Sequence, residues 1–334
     1  MTAQEFVKSL KNGWNLGNTL DAVPKADATA TEQETAWGNP VTTKEMVQLL
    51  KSTGFGIFRV PTTWGKQLTA DNTIKAEWLN RVQEIVDYGI ESGLTVILNL
   101  HHEHWHFPDD KNYNAASIIL KKVWQQIAER FAKYDNNLIF EAMNEPRKIG
   151  TEVEWSGGDE EGRRVVMLLN QDFVDTVRAT GGNNATRMLM VPTYAASADA
   201  AALADFVMPK GDNLIASVHA YTPYPFALSN ENVTAWTTEQ EKIIDELFER
   251  IDKAFISKNI PVIMGECGAR NKGDNTADRT AWAKYYTATA KKYNVPCVWW
   301  DNGIFTGSEK TEIFGLMDRA NVKWAYPDVV KAFV

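Results

Sequence analysis

The strongest constraint on this chain is an alternation, repeated eight times, of a short apolar run and a longer segment with helical spacing. The runs fall at 13–18, 55–60, 94–100, 138–143, 187–191, 214–220, 260–265 and 295–300. Most lack the polar–apolar alternation of a half-exposed strand, so they read as strands buried on both faces. Helices are predicted over 2–10, from about 44, and over 77–92, 118–134, 162–180, 197–204, 238–258, 278–293 and 325–333. The helix at 77–92 sets Trp78, Val82, Ile85, Val86 and Ile90 on one face and ends at Gly93. The helix at 238–258 is expected to turn Ile243, Ile244, Leu247, Ile251 and Phe255 inward. Eight such units, spaced about 40 residues apart, predict a closed (β/α)₈ TIM barrel, class α/β. A doubly wound open sheet is the alternative, but no glycine-rich phosphate loop follows the first strand. No Pro- or Ser-rich linker interrupts the pattern, so residues 1–334 are expected to form a single domain, with no appended carbohydrate-binding module.

The net charge of −8 argues against nucleic acid or an anionic membrane as partner and favours a neutral ligand. No apolar run approaches the length of a membrane span, and the first residues carry no export-signal core. A secreted location is nevertheless expected, with any signal lying outside this sequence, and the chain is expected to act as a monomer. Cys267 and Cys297 both fall on late strands and are expected to be buried free thiols.

In a barrel of this kind the carboxyl ends of the strands converge on one mouth. The residues there are Asn18 after the first strand, Arg59 after the second, and His101 and His102 after the third. Asn144 and Glu145 follow the fourth, halted by Pro146; His219 and Tyr221 follow the sixth. Glu266 follows the seventh and Trp300-Asp301 the eighth. Two carboxylates facing each other suit glycosidic cleavage, one protonating the leaving oxygen and the other attacking or activating water. Glu141, deeper on the face assigned to Met143 and Glu145, is expected to be structural and bonded to Arg59 or Asn99.

Twelve tryptophans strengthen the case, because an indole is a rigid, wide surface for the C–H face of a sugar ring. Trp37, Trp64, Trp105, Trp155, Trp299 and Trp300 are expected on the rim; Trp14, Trp124 and Trp282 in the core. His101, His102, His104 and His106 raise a metal-dependent hydrolase as an alternative. Adjacent strand residues point to opposite faces, however, so this spacing does not converge on one ion. No metal and no cofactor are expected. A non-catalytic glycan-binding barrel is a further alternative, though it would need only the tryptophans and not both carboxylates.

Together these residues resemble the glycoside hydrolase family 5 cellulases, in the endoglucanase and xyloglucanase branch. The likeness runs through Gly13-Trp14-Asn15-Leu16-Gly17-Asn18-Thr19-Leu20-Asp21-Ala22, Phe58-Arg59-Val60-Pro61, and Asn99-Leu100-His101-His102-Glu103. It continues through Met143-Asn144-Glu145-Pro146, His219-Ala220-Tyr221, Gly265-Glu266 and Trp300-Asp301-Asn302. The resemblance implies a retaining endo-β-1,4-glucanase with Glu145 as acid/base and Glu266 as nucleophile. Cellulose-type and mixed-linkage glucans, or xyloglucan, are the implied substrates, with β-mannan the competing one. Arg59, His101, Asn144, His219, Tyr221 and Trp300 would surround the sugar being cleaved, Trp300 being preferred to Trp299 because Asp301 follows it. Asn18, Trp37, His102 and Trp105 complete the expected binding set. Double displacement further implies carboxyl groups about 5–5.5 Å apart. The Glu266 anion is expected to raise the proton affinity of Glu145.

Overall fold

In the computed structural model, which describes residues 1–307 and 311–334, eight parallel strands close into a barrel in sequence order. The chain opens with α1 (Ala3–Ser9), then β1 (Gly13–Leu16), α2 (Ala30–Glu34), α3 (Lys44–Thr53) and β2 (Ile57–Val60). It continues through α4 (Ala76–Glu91), β3 (Thr95–Asn99), α5 (Asp110–Arg130), β4 (Leu138–Glu141) and α6 (Glu160–Ala179). Next come β5 (Leu189–Ser197), α7 (Ala200–Ala204), β6 (Leu214–His219), α8 (Tyr224–Ala227) and α9 (Thr238–Ala254). Then follow β7 (Val262–Cys267), α10 (Thr276–Lys292) and β8 (Cys297–Asp301). A small antiparallel pair, β9 (Met317–Asp318) and β10 (Lys323–Trp324), precedes α11 (Pro327–Phe333).

The barrel interior is built in layers. Ile57, Ile97, Ile139, Met190, Ile215, Ile263 and Val298 pack together inside the strands. Phe6 and Val7 of α1 join this cluster from below, so the first helix plugs the floor. Thr2 and Glu5 form a reciprocal capping box at its start. Because side chains alternate along a strand, the next inward residue lies two positions on. Ile57 is thus followed by Arg59, Ile97 by Asn99, Ile139 by Glu141 and Ile215 by Ser217. An apolar layer therefore supports a polar one in four neighbouring or near-neighbouring strands. The opposite parity (Phe58, Val96, Leu98, Phe140, Val218, Met264) packs outward beneath the helices.

Two elements and two side chains depart from expectation, besides the short α2, α8, β9 and β10, which the sequence pattern does not announce. The fifth helix begins at Asp110 rather than 118, capped by Asp109; its first turns are polar and lack an apolar stripe. The fifth strand runs on to Ser197 through a break in register, with Ala195 and Ala196 at positive φ, so the alanine-rich segment starts as strand. Ile243 is exposed, and Phe248 occupies the buried arc of α9 in its place. Met143 lies beyond the end of β4 and packs in the outer core, off the face of Glu141. Cys267 and Cys297 are buried free thiols, as expected.

Candidate active site

Arg59 is the hub of the barrel's polar layer. Its side chain is wholly buried and every nitrogen is engaged. Nε donates to Glu141 Oε2 at 2.8 Å, and Nη1 to Asn15 Oδ1 at 2.9 Å and to Glu266 Oε1 at 2.8 Å. Nη2 donates to Asn144 Oδ1 at 2.8 Å. Burial opposes the guanidinium charge, but Glu141 and Glu266 more than offset it and raise its proton affinity. Glu141 also accepts from Asn99 Nδ2 (3.1 Å) and Ser217 Oγ (2.7 Å), the structural role expected of it.

Glu266 reaches the mouth by a local irregularity. Ile263 faces the interior, so strict alternation would turn Gly265 inward and Glu266 outward. The register between β6 and β7 shifts between Val218/Met264 and His219/Glu266, which brings Glu266 round to face inward. Gly265 permits this: a Cβ there would lie 2.9 Å from His219 Nε2. Besides Arg59, the Glu266 carboxylate accepts from the Tyr221 hydroxyl at 2.8 Å.

Glu145 lies beyond β4, with Oε1 2.8 Å from His219 Nδ1. That nitrogen is also 3.8 Å from Glu266 Oε1. Oxygens of the two acids and a His219 nitrogen all lie within 4.8 Å of one another. Asn144 Oδ1 is taken by Arg59, which leaves its amide nitrogen as the side chain's donor. Trp300 lies parallel to His101 at 5.7 Å, their planes 6° apart. Burial lowers the proton affinity of His101 well below the ordinary histidine range and moves that of His102 down to about 4.

Two carboxylates thus share one mouth with an imidazole and a buried guanidinium. The sequence profile of the cellulase family (glycosyl hydrolase family 5) matches residues 22–306. The chain belongs to glycosyl hydrolase family 5. This family 5 chain is 44% identical over 340 residues to endoglucanase A of Clostridium longisporum, covering all of this chain and 65% of that protein. It is 46% identical over 341 residues to endoglucanase B of Neocallimastix patriciarum, covering all of this chain and 72% of that protein. The chain thus spans roughly two thirds of the length of these relatives. Among solved structures it resembles a broad-specificity endoglucanase from Ruminococcus champanellensis with bound cellotriose. The TM-score is 0.97 at 43% identity, over 100% of this chain and 98% of that one. A xyloglucan-specific endo-β-1,4-glucanase from a metagenomic library, also with cellotriose, gives 0.94 at 40% identity, over 98% and 97%. This chain is a glycoside hydrolase of the cellulase type.

Most of the residues expected at the site of this hydrolase meet there. Asn18 lies in the turn after β1 in a left-handed conformation, its backbone oxygen accepting from Asn39. Trp37, 40% exposed, sits 5.7 Å from the His102 ring. Trp105 is half-buried and donates to Glu103. Two tryptophans expected on the rim are not there. Trp299 is fully buried because strand parity turns it toward the helices, where Nε1 donates to Phe314 O. Trp64 is equally buried, its indole donating to Asn99 O beneath the loop. Of the histidine run, His104 is exposed and His106 is buried apart, so the four do not converge. Among the described residues Asp21, His101 and His102 do come within 4.8 Å. However, Asp21 already accepts from the Asn18 and Thr19 amides, and His101 Nδ1 is bonded to Asn99.

The expected effect of Glu266 on Glu145 is not what dominates in the free site. Burial pushes the Glu145 carboxyl up, but the imidazole of His219 and then the guanidinium of Arg147 hold it below the usual range. Arg147, Asn15, Ser217 and Asp21 were not anticipated as site residues. The interior parity shared by Ile215 and Ser217, or by Gly13 and Asn15, was the available signal for two of them. Replacing Arg59 by methionine would strand Glu141 as a buried carboxylate without its cation. The expected loss is about 3–5 kcal/mol of unfolding free energy, measured by urea denaturation. A loss near zero would mean that the other donors to Glu141 suffice.

Proposed function

We propose that this chain is a retaining endo-β-1,4-glucanase, cleaving internal bonds of cellulose-type and mixed-linkage β-glucans and of xyloglucan. The observation that carries the reading is that one carboxylate oxygen of Glu145 and one of Glu266 lie within 4.8 Å of each other across the mouth. So close an approach supports the short carboxyl spacing of direct attack over the wider spacing that admits a water in an inverting enzyme. Glu266, oriented by Arg59 and Tyr221, attacks the anomeric carbon as the bond to the leaving oxygen breaks. Glu145 gives that oxygen its proton. A glycosyl ester on Glu266 results, and a water molecule that loses its proton to Glu145 then displaces it.

The environment of Glu145 fits this change of role. In the free site the His219 hydrogen bond and the Arg147 guanidinium favour the ionised form, the form that a base needs. A bound sugar excludes water from the mouth, which strengthens the repulsion between the two carboxylates and favours a proton on Glu145. Ester formation cancels the charge of Glu266, and Glu145 returns to the form that accepts a proton. The Asn144 side-chain amide is the proposed donor to the 2-hydroxyl, a bond that tightens as the anomeric centre flattens. Trp300 supplies a sugar platform, backed on one side by His101. We propose further that the chain works outside the cell, where a polymeric substrate of this kind would be met.

The deciding measurement is ¹H NMR of products released from barley β-glucan, together with initial rates on xyloglucan, carboxymethylcellulose and mannan. The β-anomer should appear first and the glucans should be cleaved faster than mannan. Initial α-anomer would overturn the double displacement, and preference for mannan would move the chain to the competing substrate class.

A further inference from the structure

Immediately after Pro146 the chain places an arginine against the acid/base, held through Nε, Nη1 and one face of its guanidinium. Arg147 Nη1 donates to the backbone oxygen of Glu145 at 2.9 Å and lies 3.6 Å from Glu145 Oε2. Nε is paired with Glu154 Oε1 at 3.0 Å. The guanidinium carbon sits 4.1 Å from the centre of the Trp155 ring. Trp155 is 58% exposed and lines a cavity of about 680 Å³ with Glu145, His219 and Tyr221. Arg147 is therefore pinned by an ion pair and a stacked ring rather than left to sample solvent.

The two oxygens of Glu145 consequently differ. Oε1 is taken by His219 Nδ1. Oε2 faces the guanidinium at a distance too long for a hydrogen bond but short enough for strong attraction. It is the oxygen left to carry the proton exchanged with the leaving group and with water. We propose that Arg147, clamped by Glu154 and Trp155, is a positioning residue that orients Glu145 and favours its ionised form between the two half-reactions. This rests on Glu145 being the acid/base. Arg147 touches neither the nucleophile nor the anomeric centre; it acts through its neighbour.

The other charged or titratable groups around Glu145 are His219 and Tyr221 from the end of β6, Glu266 from β7 and His102 after β3. Asp199, Tyr224, Arg250 and Glu312 line the same cavity. Substitution of Arg147 leaves all of them in place. The sign follows directly. A cation beside a carboxyl favours loss of its proton, so removing the cation lets Glu145 hold its proton to higher pH. The basic limb of kcat/KM, which reports the acid form of the free enzyme, then moves upward.

The experiment is the pH profile of kcat/KM on a cello-oligosaccharide for wild type, Arg147→Gln and Arg147→Lys. The glutamine variant should shift the basic limb up by roughly one pH unit, and the lysine variant should restore it toward the wild-type position. An unmoved limb in Arg147→Gln, or an equal shift in both variants, overturns the proposal. Should Arg147→Gln fail to fold, Trp155→Ala frees the guanidinium from the solvent side. It should shift the limb in the same direction by less, and an unmoved limb there is equally fatal. A Glu145→Gln control separates the two layers: if its basic limb persists, the acid/base assignment fails, whatever Arg147 does.

Discussion

Replacing Glu266 by glutamine is expected to lower turnover on barley β-glucan roughly 10⁴–10⁶-fold, the scale on which loss of a covalent nucleophile is felt. An amide oxygen cannot form the glycosyl ester, and nothing else at the mouth is placed to do so. The substitution should nonetheless be tolerated by the fold. Glu266 Oε1 accepts from Arg59 and Oε2 from Tyr221. A glutamine can keep its oxygen toward Arg59, which can only donate, and turn its nitrogen toward the tyrosine hydroxyl, which can also accept. The paired charge of Arg59 is still met by Glu141 at 2.8 Å. Substrate binding should therefore persist, and calorimetric titration with cellotetraose serves as the check. Residual turnover above about a hundredth of wild type would remove Glu266 from the nucleophile role. Loss of both turnover and binding, with an altered melting temperature, would instead point to a collapsed site.

Where the sequence was legible, it was because one physical rule acted alone. Burial on both faces makes the strands read as apolar runs, and eight such runs leave little choice but a closed barrel. Strand parity likewise separates Trp300 from Trp299, one facing the mouth beside His101 and the other the helices. The same parity misleads at Glu266, where a register shift beside Gly265 brings the side chain inward. Its membership of the mouth was legible from strand end and motif, but not the geometry that puts it there. Trp64 looked like a rim residue because loops are ordinarily outside. A hydrogen bond from its indole to Asn99 O and a covering loop bury it completely. The tuning of Glu145 was hidden for a different reason. It depends on distances from His219, 74 positions away in sequence, and on an arginine whose clamp, Glu154 and Trp155, no local pattern announces.

Substituting glutamine for Glu145 should separate the two steps of the reaction. On a cello-oligosaccharide, whose leaving oxygen needs a proton as the bond breaks, kcat/KM is expected to fall about 10²–10⁴-fold, the usual contribution of a general acid. On an aryl cellobioside with a strongly acidic phenol, the departing phenolate is stable without a proton, and the first step should be largely spared. The second step is not spared, because the same residue must now take a proton from water. The glycosyl ester on Glu266 should therefore accumulate, giving a burst of phenol equal to the enzyme concentration and then a slow steady state with a depressed KM. The His219 contact at 2.8 Å can be kept by the amide oxygen, so the site should hold its shape. The burst is the discriminating signal. It requires a nucleophile that still works and a base that does not, which is the division of labour implied by two carboxylates held on opposite sides of one sugar. Equal losses on both substrates, with no burst, would mean that Glu145 serves binding or architecture and that the proton comes from elsewhere.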